Sequence, residues 1–310
     1  MIKTVTMNPA IDKTVEIKNF RVGTVNRISS VRIDAGGKGI NVSKTIKALG
    51  GSSLATGILA GRNGEYIKSY LDHMGIDNDF LFVNGETRTN VKVVDKLNHT
   101  NTDINEPGFN VTVEDLSLIE KKIFSGLNKE SILVLSGSIP AEVSPCIYKE
   151  WTERARKFGA RVMLDSDGEL LKEGIKASPY LIKPNIGELE RLFGRKLGNI
   201  GKIVEAARSL LEAGVEIVAV SLGAEGAVFV GRNKAIHTEG LAVDVRSTVG
   251  AGDAMVASLA LAVFRGYSFE RAVTLSAAAG AANVATDGTQ PPLLEDVLRY
   301  EGQVHFSYLK

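Results

Sequence analysis

The sequence predicts an α/β protein: a mostly parallel sheet covered by helices on both faces, with a small second β-sheet attached as a lid. Three observations carry this. Short β-rich runs alternate with helical patterns through the second half of the chain, a rhythm that builds parallel sheets. Two stretches, 12–34 and 86–106, break that rhythm with strand-like alternation. Glycine clusters stand where helical patterns open.

The elements follow in order. Thr4-Val5-Thr6 reads as a first strand and Ile132-Leu133-Val134-Leu135 as a buried one. Ser144-Pro145 has the form of an N-cap followed by proline at the first helical position, and that helix stops before Gly159. Val162-Met163-Leu164 and Tyr180-Leu181-Ile182 are strands. A helix over 203–213 ends at Gly214, and Ile217-Val218-Ala219-Val220 is the next strand. In the first irregular stretch Val15, Ile17, Val31 and Ile33 alternate in part. In the second, Thr87 to Val94 and Thr102 to Ile104 suggest an antiparallel pair turning near Asn98. Neither stretch is followed by a crossover helix, so both leave the main sheet together. A helix closes the chain after Pro291-Pro292.

The 310 residues suffice for one large core with a small appendage. A formal net charge of +1 excludes a global electrostatic footprint for nucleic acid, so any anion must be gripped locally. The single cysteine, Cys146, excludes an intrachain disulfide and a four-thiolate metal site. Met1-Ile2-Lys3-Thr4-Val5 has no secretory character, and the apolar runs fall short of the ~20 residues of a membrane span, so a cytoplasmic location is expected. The four histidines are scattered, without metal-ligand spacing or a Ser-His-Asp grouping.

The sharpest motif is Thr248-Val249-Gly250-Ala251-Gly252-Asp253-Ala254, followed by a helix of small residues. Glycines before a helix let its free N–H groups and dipole approach an anion. Asp253 there suits a general base that takes a proton from a hydroxyl while the N–H groups hold a phosphoryl group, and it equally suits a helix cap. A second cluster, Asp34-Ala35-Gly36-Gly37-Lys38-Gly39-Ile40-Asn41, would let a polyol pack on the backbone, with Asn41 as a two-way hydrogen-bonder and Lys38 as a point charge. A tight strand-to-helix connection has the same pattern. Asp12 follows the first strand, a favoured place for ligand contact in α/β sheets and also a common one for turns. Arg88 and Lys92 share a strand face on the irregular segment and Arg27 lies on the other, so they could clamp a phosphate or remain solvated. Asn185 and Glu188 could hold waters on magnesium or form a cap. Ser221 to Ala227 is a tight turn, either a plain hairpin or a nucleotide-contacting loop. Neither a Walker-A sequence nor a complete G-x-G-x-x-G occurs, because Met255 replaces the third glycine.

Together these motifs resemble the ribokinase/PfkB family of sugar kinases, in order and spacing over essentially the whole chain. The resemblance rests on Gly36, Gly37, Gly39 and Asn41, on Gly250 to Asp253, on Asn185 to Glu188, and on Ser221 to Gly226. It implies a ribokinase-like three-layer core, one kinase domain over 1–310, and a β lid formed by about 12–34 and 86–106. It implies ATP and magnesium as cofactors, and a homodimer joined through the lid. Asp253 would be the general base, with Gly250, Ala251 and Gly252 as the anion hole. Asp12, Gly36, Gly37, Lys38, Asn41 and Ser138 would bind sugar, and Arg27, Arg88 and Lys92 its phosphate. Lys183, Asn185, Ser221, Gly223, Gly226, Thr248 and Asn283 would contact nucleotide, and Asn185 and Glu188 would position magnesium through water.

The segments Thr6 to Asp12, Val25 to Arg27, Thr87 to Lys92 and Thr102 to Asn105 are most similar to the branch acting on sugars already phosphorylated. The expected reaction is phosphoryl transfer from ATP to the C6 hydroxyl of fructose 1-phosphate. Tagatose 6-phosphate and fructose 6-phosphate are the near alternatives. Met7 and Asp167 depart from the family pattern, and Asp167 adds a charge near the cleft. A non-catalytic sugar-phosphate sensor and a dinucleotide-dependent dehydrogenase are the readings from other classes.

Overall fold

The computed structural model describes residues 1–309 and consists of two sheets. The strands of the larger are β1 (Ile2–Thr6), β4 (Leu54–Ala60), β5 (Asn78–Val83), β8 (Ile132–Ser136), β9 (Arg161–Asp165), β10 (Leu181–Ile182), β11 (Ile217–Ser221), β12 (Ala227–Gly231), β13 (Ala235–Thr238) and β14 (Phe306–Leu309). They lie side by side in the order β14-β13-β12-β11-β10-β9-β8-β1-β4-β5. From β5 to β11 every pairing is parallel; β11 to β14 are antiparallel. β1 and β8 are buried along their whole length, as expected for strands covered on both faces.

The helices are α1 (Lys38–Ala48), α2 (Gly61–His73), α3 (Val113–Phe124), α4 (Ile147–Lys157), α5 (Gly168–Ile175), α6 (Ile186–Phe193), α7 (Ile200–Glu212), α8 (Ala251–Phe264), α9 (Phe269–Val284) and α10 (Leu294–Glu301). Trp151, Leu171, Leu189 and Ile203 bring α4 to α7 onto one core with Leu133 and Leu164. Val42, Ile46, Leu259, Val273 and Val297 bring α1, α8, α9 and α10 onto the other, against Ile132 and Met163. α8 is apolar almost all round and buried from Asp253 to Ala262, as a helix enclosed by neighbours must be. Among the described residues no helix is long and apolar enough to cross a membrane.

The second sheet is the lid, with strands β2 (Ala10–Ile17), β3 (Ile28–Gly36), β6 (Arg88–Asp95) and β7 (Thr100–Asn105), in the order β3-β2-β6-β7. β2–β3 and β6–β7 are antiparallel hairpins, whereas the central pair β2–β6 is parallel. Strand periodicity puts Asp12, Asp34 and Asn90 on one face and Ile11, Val15, Ile33 and Val93 on the other.

Three local expectations are corrected. The fourth helix begins at Ile147, not at Pro145: the Ser144 hydroxyl accepts from Cys146 N within the preceding turn. The first lid segment does meet a helix, since β3 runs through Gly37 straight into α1. The closing helix is followed by β14, which the sequence did not signal.

Candidate active site

All the parallel strands deliver their C-terminal ends to one edge, where ligands bind in open α/β sheets. There a cleft of about 1290 Å³ opens between that edge, the lid and the N-terminus of α8. The end of β1 contributes Thr6 and Asn8, the end of β8 Ser136 to Ser138, the end of β9 Asp165, and the end of β10 Lys183.

Asp253 lies in the first turn of α8, behind Gly250, whose φ of +90° places the N-cap in the left-handed region that glycine alone adopts freely. The carboxylate is buried and accepts from Asn41 Nδ2 at 2.9 Å. Burial first, then the charge of Asp165, pushes its pKa up to about 6, against the pull of Lys38, Asn41 and Lys183. Asp165, itself buried, faces Lys38 Nζ at 3.4 Å and Lys183 Nζ at 3.5 Å. Burial opposes its ionisation, but the two lysines prevail and hold it below the ordinary carboxylate range. Asp165 in turn raises the pKa of Lys38. The floor of the cleft thus carries two fixed cations and one low-pKa carboxylate around a carboxylate poised to take a proton. Such a constellation can accept a hydroxyl proton beside a site that attracts phosphate.

On the lid side, Asp12 is clamped. Asn90 Nδ2 donates to its Oδ1 at 3.1 Å, and a Cβ on Gly36 would fall 2.0 Å from its Oδ2, so only glycine fits beneath it. Burial raises the Asp12 pKa, opposed by Asn90. Arg88 lines the same wall, its guanidinium donating to the carbonyls of Glu106 and Asn8 at 3.1 and 3.2 Å.

The far end of the cleft is an apolar slot. Its walls are the 240–245 loop (Leu241, Ala242, Val243, Val245) and small residues of α9 (Ala277, Gly280, Ala281). The Ser221–Ala227 turn is both things at once, a hairpin joining β11 to β12 and a wall of the slot through Ser221, Gly223 and Gly226. Asn185 and Glu188 cap α6 reciprocally: Glu188 N donates to Asn185 Oδ1 and Asn185 N donates to Glu188 Oε2, each at 2.8 Å. Both still line the cleft.

The fold therefore brings together Asp12, Gly37, Lys38, Asn41, Arg88 and Ser138, with Lys183, Asn185, Glu188, Ser221, Gly223 and Gly226, and with Thr248 to Asp253. It leaves others outside. Arg27 is exposed in the loop at the lid's outer end. Lys92 shares the face of Arg88 but lies four residues, roughly 13 Å, farther along β6. Asn283 is buried behind Gly250, donating from Nδ2 to Gln290 O at 2.9 Å, and does not reach the slot. The sequence carries Asn90 only as part of the segment Thr87 to Lys92, without a role of its own, and assigns none to Asp165. Asp165 ends a strand just as Asp12 follows one, and that signal was available. The 240–245 loop offered no motif.

The match to known proteins agrees with this geometry. Residues 5–296 match the model of the pfkB family carbohydrate kinases. The chain belongs to that family. The pfkB kinase is 39% identical over 278 residues to the 1-phosphofructokinase of Rhodobacter capsulatus, covering 89% of this chain and 88% of that protein. It is 38% identical over 284 residues to the 1-phosphofructokinase of Escherichia coli, covering 92% and 91%. Its fold superposes on phosphofructokinase-2 from E. coli in complex with substrates and products, with a TM-score of 0.93 at 29% identity, covering 97% and 98%. Ribokinase from Thermotoga maritima follows with a TM-score of 0.79 at 26% identity, over 97% and 98%. The ribokinase-like α/β fold and ATP-dependent carbohydrate kinase activity stand on these matches together.

Proposed function

We propose that this kinase transfers the γ-phosphoryl group of ATP to the C6 hydroxyl of fructose 1-phosphate, giving fructose 1,6-bisphosphate, within one domain that carries the lid. The observation that carries the acceptor is the set of relatives at 35–39% identity named 1-phosphofructokinase. The cleft adds a cationic lid wall at Arg88, which a sugar with no phosphate of its own would not need.

In this reading Asp12, Gly37 and Asn41 hold the sugar, Arg88 meets its phosphate, and the free hydroxyl points at Asp253. Asp253 takes the hydroxyl proton as the oxygen attacks the phosphoryl group. The N–H groups of Gly250, Ala251 and Gly252, with Lys38, face the charge that spreads over the group in transfer. The apolar slot takes the nucleoside, and Lys183, Ser221, Gly223, Gly226 and Thr248 border its phosphates.

The donor set suits magnesium. Among the described residues no group of three acidic or histidine side chains could cage a metal, and magnesium is commonly held through waters and substrate phosphates. With Glu188 Oε2 engaged in the cap, its Oε1, beside Asn185, would hold magnesium through water. When bound, the ion neutralises phosphate charge.

We also read the lid as a dimer surface: Val31, Ile33 and Ile104 lie half-exposed on its apolar face. A coupled ADP-release assay on fructose 1-phosphate, tagatose 6-phosphate and fructose 6-phosphate tests the acceptor. A higher kcat/KM on fructose 1-phosphate is expected. Preference for a 6-phosphate would reassign the substrate while keeping the chemistry.

A further inference from the structure

We propose that Asn90 is a positioning residue for the sugar site: its side-chain amide fixes the orientation of the Asp12 carboxylate that receives the sugar hydroxyls. The inference rests on the sugar-site reading of Asp12 above.

The register dictates the contact. β2 and β6 are adjacent parallel strands in which Asp12 and Asn90 are direct partners, so their side chains rise from the same lid face side by side. Asn90 Nδ2 donates to Asp12 Oδ1 at 3.1 Å, while Gly36 packs under Oδ2. One oxygen is held by a donor and the other by a steric floor, which leaves the carboxylate little freedom to rotate. A carboxylate at a strand end without such a clamp would lose rotamer freedom on binding substrate, and that loss weakens affinity.

The charges around Asp12 act from a distance and in both directions: Lys44 and Arg88 favour its anion and Asp34 opposes it. Among the described residues neither cation pairs with Asp12: Lys44 Nζ donates to Ala35 O at 2.8 Å and Arg88 to two backbone carbonyls. The side-chain hydrogen bond that orients Asp12 comes from Asn90.

The test is a double-mutant cycle on the full chain, using Asn90→Ala, Asp12→Ala and the double variant, each assayed beside the wild type with ATP and fructose 1-phosphate. Asn90→Ala should raise KM for fructose 1-phosphate roughly tenfold to hundredfold, the span of a hydrogen bond to a charged group. kcat and KM for ATP should stay within about twofold. On the Asp12→Ala background the same change should do almost nothing to the sugar KM, because there is no carboxylate left to orient. Asn90→Asp, equal in shape but facing Asp12 with a second acceptor, should lose more than Asn90→Ala. Additive losses in the cycle, or equal rises in KM for ATP and sugar phosphate, would overturn the assignment. The wild-type arm stands apart: its turnover on fructose 1-phosphate reports on the substrate reading, and the cycle reports on Asn90.

Discussion

Asn41 Nδ2 donates to Asp253 Oδ2 at 2.9 Å, joining the first turns of α1 and α8 across the cleft floor. The two glycine-rich segments of the sequence, 212 residues apart between these partners, are thus one structure. The bond occupies one carboxylate oxygen and leaves Oδ1 for the hydroxyl of the proposed reaction.

Replacing Asp253 by Asn keeps this bond and removes the base. We expect kcat to fall on the order of 10²–10⁴-fold, the range of a positioned proton acceptor, while KM for both substrates changes little. Steady-state kinetics decides it, and turnover near the wild-type level would remove Asp253 from that role.

The raised pKa of Asp253 gives two linked signatures. The base is needed ionised, so kcat/KM should rise with pH through about 6. Stability runs the other way. The folded state binds this proton below about 6 and the unfolded chain only near 3.8, so the ionised carboxylate destabilises the fold above that window and ceases to as pH falls through it. Asp253→Asn should therefore raise Tm at pH 7.5, with a smaller gain at pH 4.5. An equal gain at both would contradict the burial argument.

Gly36→Ala places a methyl group 2.0 Å from Asp12 Oδ2, well inside contact distance. The carboxylate must turn away, so KM for the sugar should rise at least tenfold, comparable to losing a charged hydrogen bond, while KM for ATP holds. A parallel change in both constants would mean that the loop, not Asp12, had moved.

Asp95, at the end of β6, ties the lid's outer loops. Its Oδ1 accepts from Asn19 N and Leu97 N, each at 3.0 Å, and its Oδ2 from Phe20 N and Asn98 Nδ2, each at 2.7 Å. Burial opposes ionisation, yet these donors hold its pKa down to about 2. Asp95→Ala should speed amide exchange in 18–27 and 96–99 well above the rate in the core strands. Unchanged protection there would show that the loops hold themselves.

Ile33→Glu puts a charge on the exposed apolar face of the lid. If that face joins two copies, light scattering should report the mass of a monomer for the variant and a dimer for the wild type. A wild-type monomer ends the dimer reading.

Much of the site was legible because its parts are short and local. Glycines before a helix, and an aspartate behind them, suggest a phosphate cradle from a few adjacent residues, and the resemblance over the whole chain favours it above a plain helix cap. The lid strands were legible from alternation, and the β6–β7 turn near Asn98 from its polar run. What escaped depends on pairing between distant segments. Nothing near Asn90 in sequence says that it will sit opposite Asp12, because a parallel register is set by the fold. Arg88 and Lys92 look equivalent at period two, yet only the one at the strand's inner end reaches the cleft. Asn283 lies one residue from the end of α9, near the slot in sequence, and turns inward because its amide satisfies Gln290 O.

The parallel pairing of β2 with β6 bears on how the chain folds. Between those strands lie β3, α1, β4, α2 and β5, four of which build the main body and its junction with the lid. No hairpin can bring β2 and β6 together early. The intervening helix and strands must first be laid down so that the ends meet, and the loop-closure entropy of that wait falls on the lid. The β2–β6 pairing that closes the lid is therefore expected to follow the main body, so a nascent chain would form the floor of the cleft before it has a roof.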